Sequence, residues 1–339
     1  MNGTARTIDI HAHILFPEVM GLCGAAGPEL GEKDGRQYFR SGGYVLDYVR
    51  FIDGPMSNVD ARLALMDRLS VDHQLLSPNP LTYFYTQPAE VTARYCRASN
   101  EAMAGLCAKH PSRFSASAQV PMQDPRTALR ELEYAVRILK LKSVHTGTDI
   151  GGKDLSDPGL DPVWSAMEDH GVPLVIHPAP PDVEPTGKPA TTRKWDLDLI
   201  VGFGHEETLA VADLIFGGVL DRHPRLHVNV PHGGGTAVFL RGRFEAAIRK
   251  RPWGRTILKR PLEELWQQMS FDCLVRPGAQ MEFLVKAEGA DRVLLGTNFA
   301  GWDQEDEIVH HVRALPVNET DKAAILAGNA RRIFKIDPH

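Results

Sequence analysis

The segment Ile8-Asp9-Ile10-His11-Ala12-His13 sets two imidazoles two residues apart at the end of an apolar run. On an extended strand, alternate side chains point the same way, roughly 6.6 Å apart along the backbone. Two imidazoles so placed can converge on one divalent ion. Leu174-Val175-Ile176-His177 closes a second buried run with a histidine, and Val228-Asn229-Val230-Pro231-His232 closes a third. A lone histidine in such a place is most often a core residue satisfied by one hydrogen bond. Three strand ends that all carry histidine point instead to a shared site, provided the fold gathers strand ends at one mouth. The chemistry expected is a divalent metal held by His11, His13 and His177. His232 sits beside it as an acid/base near neutral pH.

A carboxylate at the end of a further run, Leu294-Leu295-Gly296-Thr297-Asn298-Phe299, would complete a site of three histidines and one acid, but the residue there is Asn298. Its side-chain carbonyl is a neutral, weaker ligand and cannot act as a base. Asp303 reaches inward only if the loop folds back, and its plain reading is a helix N-cap. His232-Gly233-Gly234-Gly235 also fits an oxyanion-hole loop of a serine esterase, but the chain has no G-x-S-x-G elbow to go with it.

Histidines at several strand ends need a fold that brings those ends together. Eight β-branched or apolar runs read as strands: Thr7–His11, Val71–Ser77, Phe114–Val120, Lys142–His145, Pro173–His177, Leu226–Pro231, Met269–Cys273 and Arg292–Gly296. Helical patterns alternate with them. Asn58 is placed to cap Val59–Leu69, and Asp124, followed by Pro125, to cap a helix striped by Leu129, Leu132, Val136 and Leu139. Other helices are expected at Pro88–Lys109, Pro158–His170, Glu206–Leu220, Gly234–Lys250, Gly278–Glu288, Asp303–Leu315 and Glu319–Ala327. Strands alternating with helices imply a parallel sheet, and eight such units imply an α/β fold of the closed (β/α)8, TIM-like barrel type. The 339 residues are then one barrel domain with two long insertions, 15–57 after the first strand and 178–205 after the fifth, read as lid-like loops.

Composition narrows the function classes. The net charge is −5, with 24% charged and 43% hydrophobic residues, and the one basic stretch, Arg249 to Arg260, reads as a solvated helix end and loop. That argues against a nucleic-acid partner. No apolar run reaches the length of a membrane span. Cys23, Cys96, Cys107 and Cys273 form no C-x-x-C pair and read as free thiols of a cytoplasmic protein.

Taken together, Asp9-Ile10-His11-Ala12-His13, Val120-Pro121-Met122-Gln123-Asp124-Pro125, Ile176-His177-Pro178, Leu214-Ile215-Phe216-Gly217-Gly218-Val219-Leu220, His232-Gly233-Gly234-Gly235 and Leu295-Gly296-Thr297-Asn298 resemble the amidohydrolase superfamily. Within it they resemble the branch of the 2-amino-3-carboxymuconate-6-semialdehyde decarboxylases, and the motifs run in order from about residue 7 to about residue 334. The resemblance implies that His11, His13 and His177 bind zinc and that His232 is the acid/base acting on water beside it. It also implies a homodimer, because Arg243 matches an arginine that crosses to a neighbouring subunit to bind a substrate carboxylate. Trp195 falls at an aromatic lid position. Arg40 or Arg50 would clamp a carboxylate from the first long loop, and Phe299 and Trp302 fall beside the site. Asn298 departs from the family's Asp. Three accounts stay open: a natural subgroup with altered chemistry in which Asp303 or water fills in, a ligand-trapping substitution, or a barrel that binds a small acid without turnover.

The activity expected first is metal-dependent, non-oxidative decarboxylation of an aromatic or unsaturated carboxylic acid in aromatic catabolism. Hydrolysis or hydration by the same site is the second reading. The partner is a small carboxylate.

Overall fold

The computed structural model describes residues 7–180, 194–301 and 303–337. Eight parallel strands form its centre. They are β1 (Ile8–Ile14), β5 (His73–Pro78), β6 (Phe114–Ala118), β7 (Ser143–Thr146), β8 (Leu174–Ile176), β9 (Val228–Val230), β10 (Met269–Asp272) and β11 (Val293–Leu294). Each pairs with the next in that order. The sheet closes on itself because the segment after β11 runs back along β1. Ile10 N donates to Leu295 O at 3.0 Å, Phe299 N to His11 O at 2.9 Å, and His13 N to Phe299 O at 3.2 Å. Barrel closure leaves no sheet edge and brings the C-terminal ends of all eight strands around one mouth.

Helices fill the crossovers. Asn58 and Asp124 cap Val59–Arg68 and Pro125–Glu133 through their side chains, accepting from Ala61 N and Thr127 N. The apolar stripes of the helices pack on the strands in one continuous core that includes Trp164, Trp266, Phe114 and Phe271. No helix among the described residues is long and apolar enough to cross a membrane.

Three elements differ from the sequence reading. The first long connection holds an antiparallel sheet of β2 (Glu29–Lys33), β3 (Arg36–Ser41) and β4 (Tyr44–Asp47). Asp34 and Gly35 turn it with φ of 53° and 71°, the two positive values of a type I′ hairpin turn. Its own small core of Phe39, Tyr44, Val49, Phe51 and Met56 rests on Leu15 and Leu81. The second connection is shorter than expected: the helix Gly202–Phe216 begins inside it, and residues 181–193 lie outside the described residues. The helix expected from Asp303 starts at Ile308, so Asp303 caps nothing.

Candidate active site

His11 and His13 stand on β1 next to a break in its pairing. Asp9 pairs with Gln74 and Ala12 with Leu76, so two residues of β1 face one residue of β5. Such a bulge re-aims side chains and is common beside active sites. His177 follows β8, and His232 follows β9 in a short 3-10 turn. The barrel brings the four rings together. Ring centroids are 4.9 Å apart for His11 and His13, 5.1 Å for His11 and His177, and 5.0 Å for His13 and His177. His232 lies 5.1 Å from His11 and 5.3 Å from His177.

The first three histidines are 3–4% exposed and each is oriented through Nδ1. His11 Nδ1 donates to Asp272 Oδ2 at 2.8 Å and His177 Nδ1 to Pro178 O at 2.7 Å. His13 Nδ1 lies 3.3 Å from Pro78 O and 3.1 Å from Ser77 Oγ. With the ring proton on Nδ1, the Nε2 lone pairs face one another. His11 Nε2 and His13 Nε2 are 3.1 Å apart, and His177 Nε2 is buried with no hydrogen-bond partner among the described residues. Ligand atoms of the three residues all lie within 4.8 Å of one another. Three convergent imidazole nitrogens are suited to share one cation, and imidazoles whose far nitrogen binds a carboxylate or carbonyl are the usual metal ligands. Burial, followed by the charges of neighbouring histidines, pushes the pKa values of His13 and His177 well below the ordinary value, which keeps them neutral. These residues fit a divalent metal.

Asp272 closes β10 and was not singled out by the sequence reading, which looked for the acid one strand later. Burial would raise its carboxyl, but the hydrogen bond and charge of His11 hold it below the ordinary carboxylate value. The signal available in the sequence was an aspartate ending an otherwise apolar strand, Met269–Asp272.

His232 is held differently. Its Nδ1 donates to Glu207 Oε1 at 2.5 Å, and Glu207 is fully buried on the helix Gly202–Phe216. Burial works against the imidazolium, but the carboxylate outweighs it and raises the histidine above its usual pKa. This contact depends on glycine: a Cβ at Gly235, whose φ is +60°, would lie 2.3 Å from Gly204 O and 3.0 Å from Glu207 Oε2. Bare backbone there lets the helix approach closely enough for Glu207 to reach the ring. The sequence reading also passed over Glu207, a carboxylate on the inner face of a helix.

A cavity of about 740 Å³ opens above the cluster. His13, His177, His232 and Asn298 form part of its lining, Phe51, Met56, Leu81 and Phe203 supply apolar wall, and Arg276 and Asp303 stand among its charged residues. Asn298 has a φ of 52°. Asp303 is exposed at the mouth.

Several expected substrate residues lie elsewhere. Arg40 is bound to Glu29 at 2.8 Å and to Ala25 O at 2.9 Å, so the β2–β3 pairing consumes it. Arg50 and Arg243 are exposed and, among the described residues, none of these three arginines lines the cavity. Trp195 is 72% exposed, with Lys194 Nζ 3.9 Å from its ring centroid. Phe299 is fully buried, its ring 4.6 Å from the Arg62 guanidinium, and its role is to close the barrel. Trp302 lies outside the described residues.

A family model described as amidohydrolase matches residues 8–336. The chain is 30% identical over 352 residues to a 2-amino-3-carboxymuconate-6-semialdehyde decarboxylase of Dictyostelium discoideum, covering 98% of this chain and 92% of that one. It is 26% identical to a gamma-resorcylate decarboxylase of a Rhizobium species, covering 82% of this chain and 87% of that one. Among solved structures, the 5-carboxyvanillate decarboxylase of Novosphingobium aromaticivorans complexed with manganese superposes with a TM-score of 0.71 at 24% identity, over 81% of this chain and 79% of that one.

Proposed function

Because the chain belongs to the amidohydrolase family, we propose that it is a metal-dependent, non-oxidative decarboxylase of a small aromatic or unsaturated carboxylic acid. The observation that carries this reading is the His232–Glu207 pair, a histidine hydrogen-bonded to a buried acid and lining the cavity beside the three-histidine cluster. The two relatives compared above are decarboxylases by name.

His11, His13 and His177 would hold the ion, with Asp272 fixing the tautomer of His11. When bound, the ion supplies a positive charge that anchors and polarises an oxygen of the substrate. The chain does the rest. The apolar wall of Phe51, Met56, Leu81 and Phe203 holds the ring or conjugated chain and keeps water out. His232 delivers a proton from Nε2 to the carbon that bears the departing carboxylate, while Glu207 stabilises the imidazolium through Nδ1. Carbon dioxide then leaves as the carbon–carbon bond breaks and its electron pair returns to the ring. The buried Glu207 beside Nδ1 favours the protonated form of His232, which suits proton delivery to carbon.

We assign zinc as the ion, since imidazole nitrogens suit it better than they suit manganese. Asn298 is read as a neutral wall of the site that leaves the ion its full positive charge. The four free cysteines suit a reducing cytoplasm. We read residues 15–57 as an insertion of the single barrel domain that walls the cavity through Tyr44, Leu46, Phe51 and Met56.

The deciding experiment is carbon dioxide release by the metal-loaded protein over a panel of hydroxybenzoates and muconate-type acids, with His232→Asn as control. Release that His232→Asn abolishes supports the reading. Water incorporation without carbon dioxide release would falsify it.

A further inference from the structure

Arg276 is the one lysine or arginine that lines the cavity among the described residues. It stands four residues beyond Asp272, on the loop that leaves β10, and it is exposed. Next to it, Val275 lies where a Cβ on Gly233 would meet its Cγ1 at 2.5 Å, so this loop packs on the turn that carries His232. Two other arginines are engaged away from the cavity: Arg40 holds Glu29, and Arg62 donates to Gln74 and to the carbonyls of His13 and Pro55. The guanidinium of Arg276 makes no hydrogen bond or ion pair among the described residues, although Asp303 and Glu305 line the same cavity. Those two carboxylates come from the loop after β11 and disfavour an anion beside them. The free guanidinium therefore sets where a second negative group can lie.

The departing carboxylate is not that group. It must lie at the buried histidines, where the proton arrives, and a guanidinium on it would stabilise the starting acid more than the transition state in which its charge drains into the bond. We propose that Arg276 is a specificity-determining residue that binds a second acidic substituent of the substrate, at the cavity mouth, so that acids carrying two anionic groups are preferred over monoacids. A planar fork of donors suits a carboxylate in this role.

The choice of acids rests on the decarboxylase reading, but the test does not need turnover. Affinities of the zinc-loaded protein for benzene-1,3-dicarboxylate and for benzoate are measured by calorimetry, for the parent chain, Arg276→Gln and Arg276→Lys. The parent is expected to prefer the dicarboxylate about tenfold or more. Arg276→Gln brings the ratio close to one, and Arg276→Lys keeps part of the preference. Arg276 is exposed and unpaired, so neither change unsettles the fold, and equal melting temperatures verify this. No preference in the parent, or a preference that survives Arg276→Gln, overturns the proposal. A protein that releases no carbon dioxide yet keeps an Arg276-dependent ratio overturns the activity and leaves this assignment standing.

Discussion

At the scale of single residues the site divides into atoms that meet the ion and atoms that hold them. His177 Nε2 is buried with no hydrogen-bond partner among the described residues, which leaves its lone pair for an ion. His177→Ala is expected to lose the metal and the activity together, as read by elemental analysis and carbon dioxide release. Asp272 meets the three-histidine cluster through His11 at 2.8 Å, while its other oxygen accepts from Gly233 N and Leu274 N. Asp272→Asn should weaken metal affinity by about 10- to 100-fold, the usual cost of removing such an orienting acceptor, and competition with a chelator measures it. Glu207 acts through His232. Glu207→Gln keeps the shape of the side chain but removes the charge that raises the histidine. The alkaline limb of the kcat against pH profile, where the imidazolium loses its proton, should move to lower pH, with kcat falling by about 10²- to 10⁴-fold if proton delivery limits the rate. A kcat against pH profile identical to the parent's would remove Glu207 from the proton path.

Elements place these residues, and some elements carry costs of their own. Gly235 must stay bare for the helix Gly202–Phe216 to meet the His232 turn. Gly235→Ala forces a Cβ against a backbone oxygen at positive φ, so it should lower stability by roughly 1–3 kcal/mol and cut activity more than stability, because it pries Glu207 from His232. Denaturant titration alongside kcat separates the two effects. Among the histidines outside the metal cluster, two stand where strands begin. His73 opens β5 against Ser112 O and Ser115 Oγ, and His227 precedes β9 against Ser270 Oγ. Burial pushes the pKa of each down to about 4. The unfolded chain takes up these protons as pH falls below about 6.5, whereas the folded barrel resists until about 4. Stability from these two groups is therefore full above pH 6.5, declines through that window and levels off below it. The loss should reach roughly 2–3 kcal/mol for each group by pH 4.5, and His73→Gln should flatten part of the slope measured by denaturant titration.

For the whole molecule, the open question is association. Phe239 is 78% exposed on the helix Ala237–Lys250 and its ring lies 6.2 Å from Phe283 on the helix Ala279–Glu288. Arg243 is exposed on the first of these helices. We propose that this face joins two copies of the chain in a homodimer, which would bury the two rings and carry Arg243 away from its own cavity toward a partner. Light scattering on the parent should give twice the chain mass, and Phe239→Glu should give the monomer. A monomeric parent removes both the dimer and any role for Arg243 across it.

Much of this protein was legible in one dimension. The alternation of strand and helix patterns dictated an eight-fold barrel, because each run buries its apolar side only against its neighbours, and helix caps at Asn58 and Asp124 followed from local hydrogen bonding alone. The histidines at the ends of β1, β8 and β9 were legible too, since strand ends in a barrel share one mouth. The small sheet β2–β4 carried a signal, Asp34-Gly35, within a stretch otherwise read as loop. What the sequence could not carry was long-range pairing. Asp272 and Glu207 are ordinary acids until β10 and a helix bring them 2.8 Å and 2.5 Å from His11 and His232. Arg40 and Phe299 looked like substrate contacts until Glu29 and the barrel seam claimed them. Patterns of burial and local hydrogen bonds are written along the chain. Which charge meets which partner across 25 or 261 residues is set only by closure of the barrel.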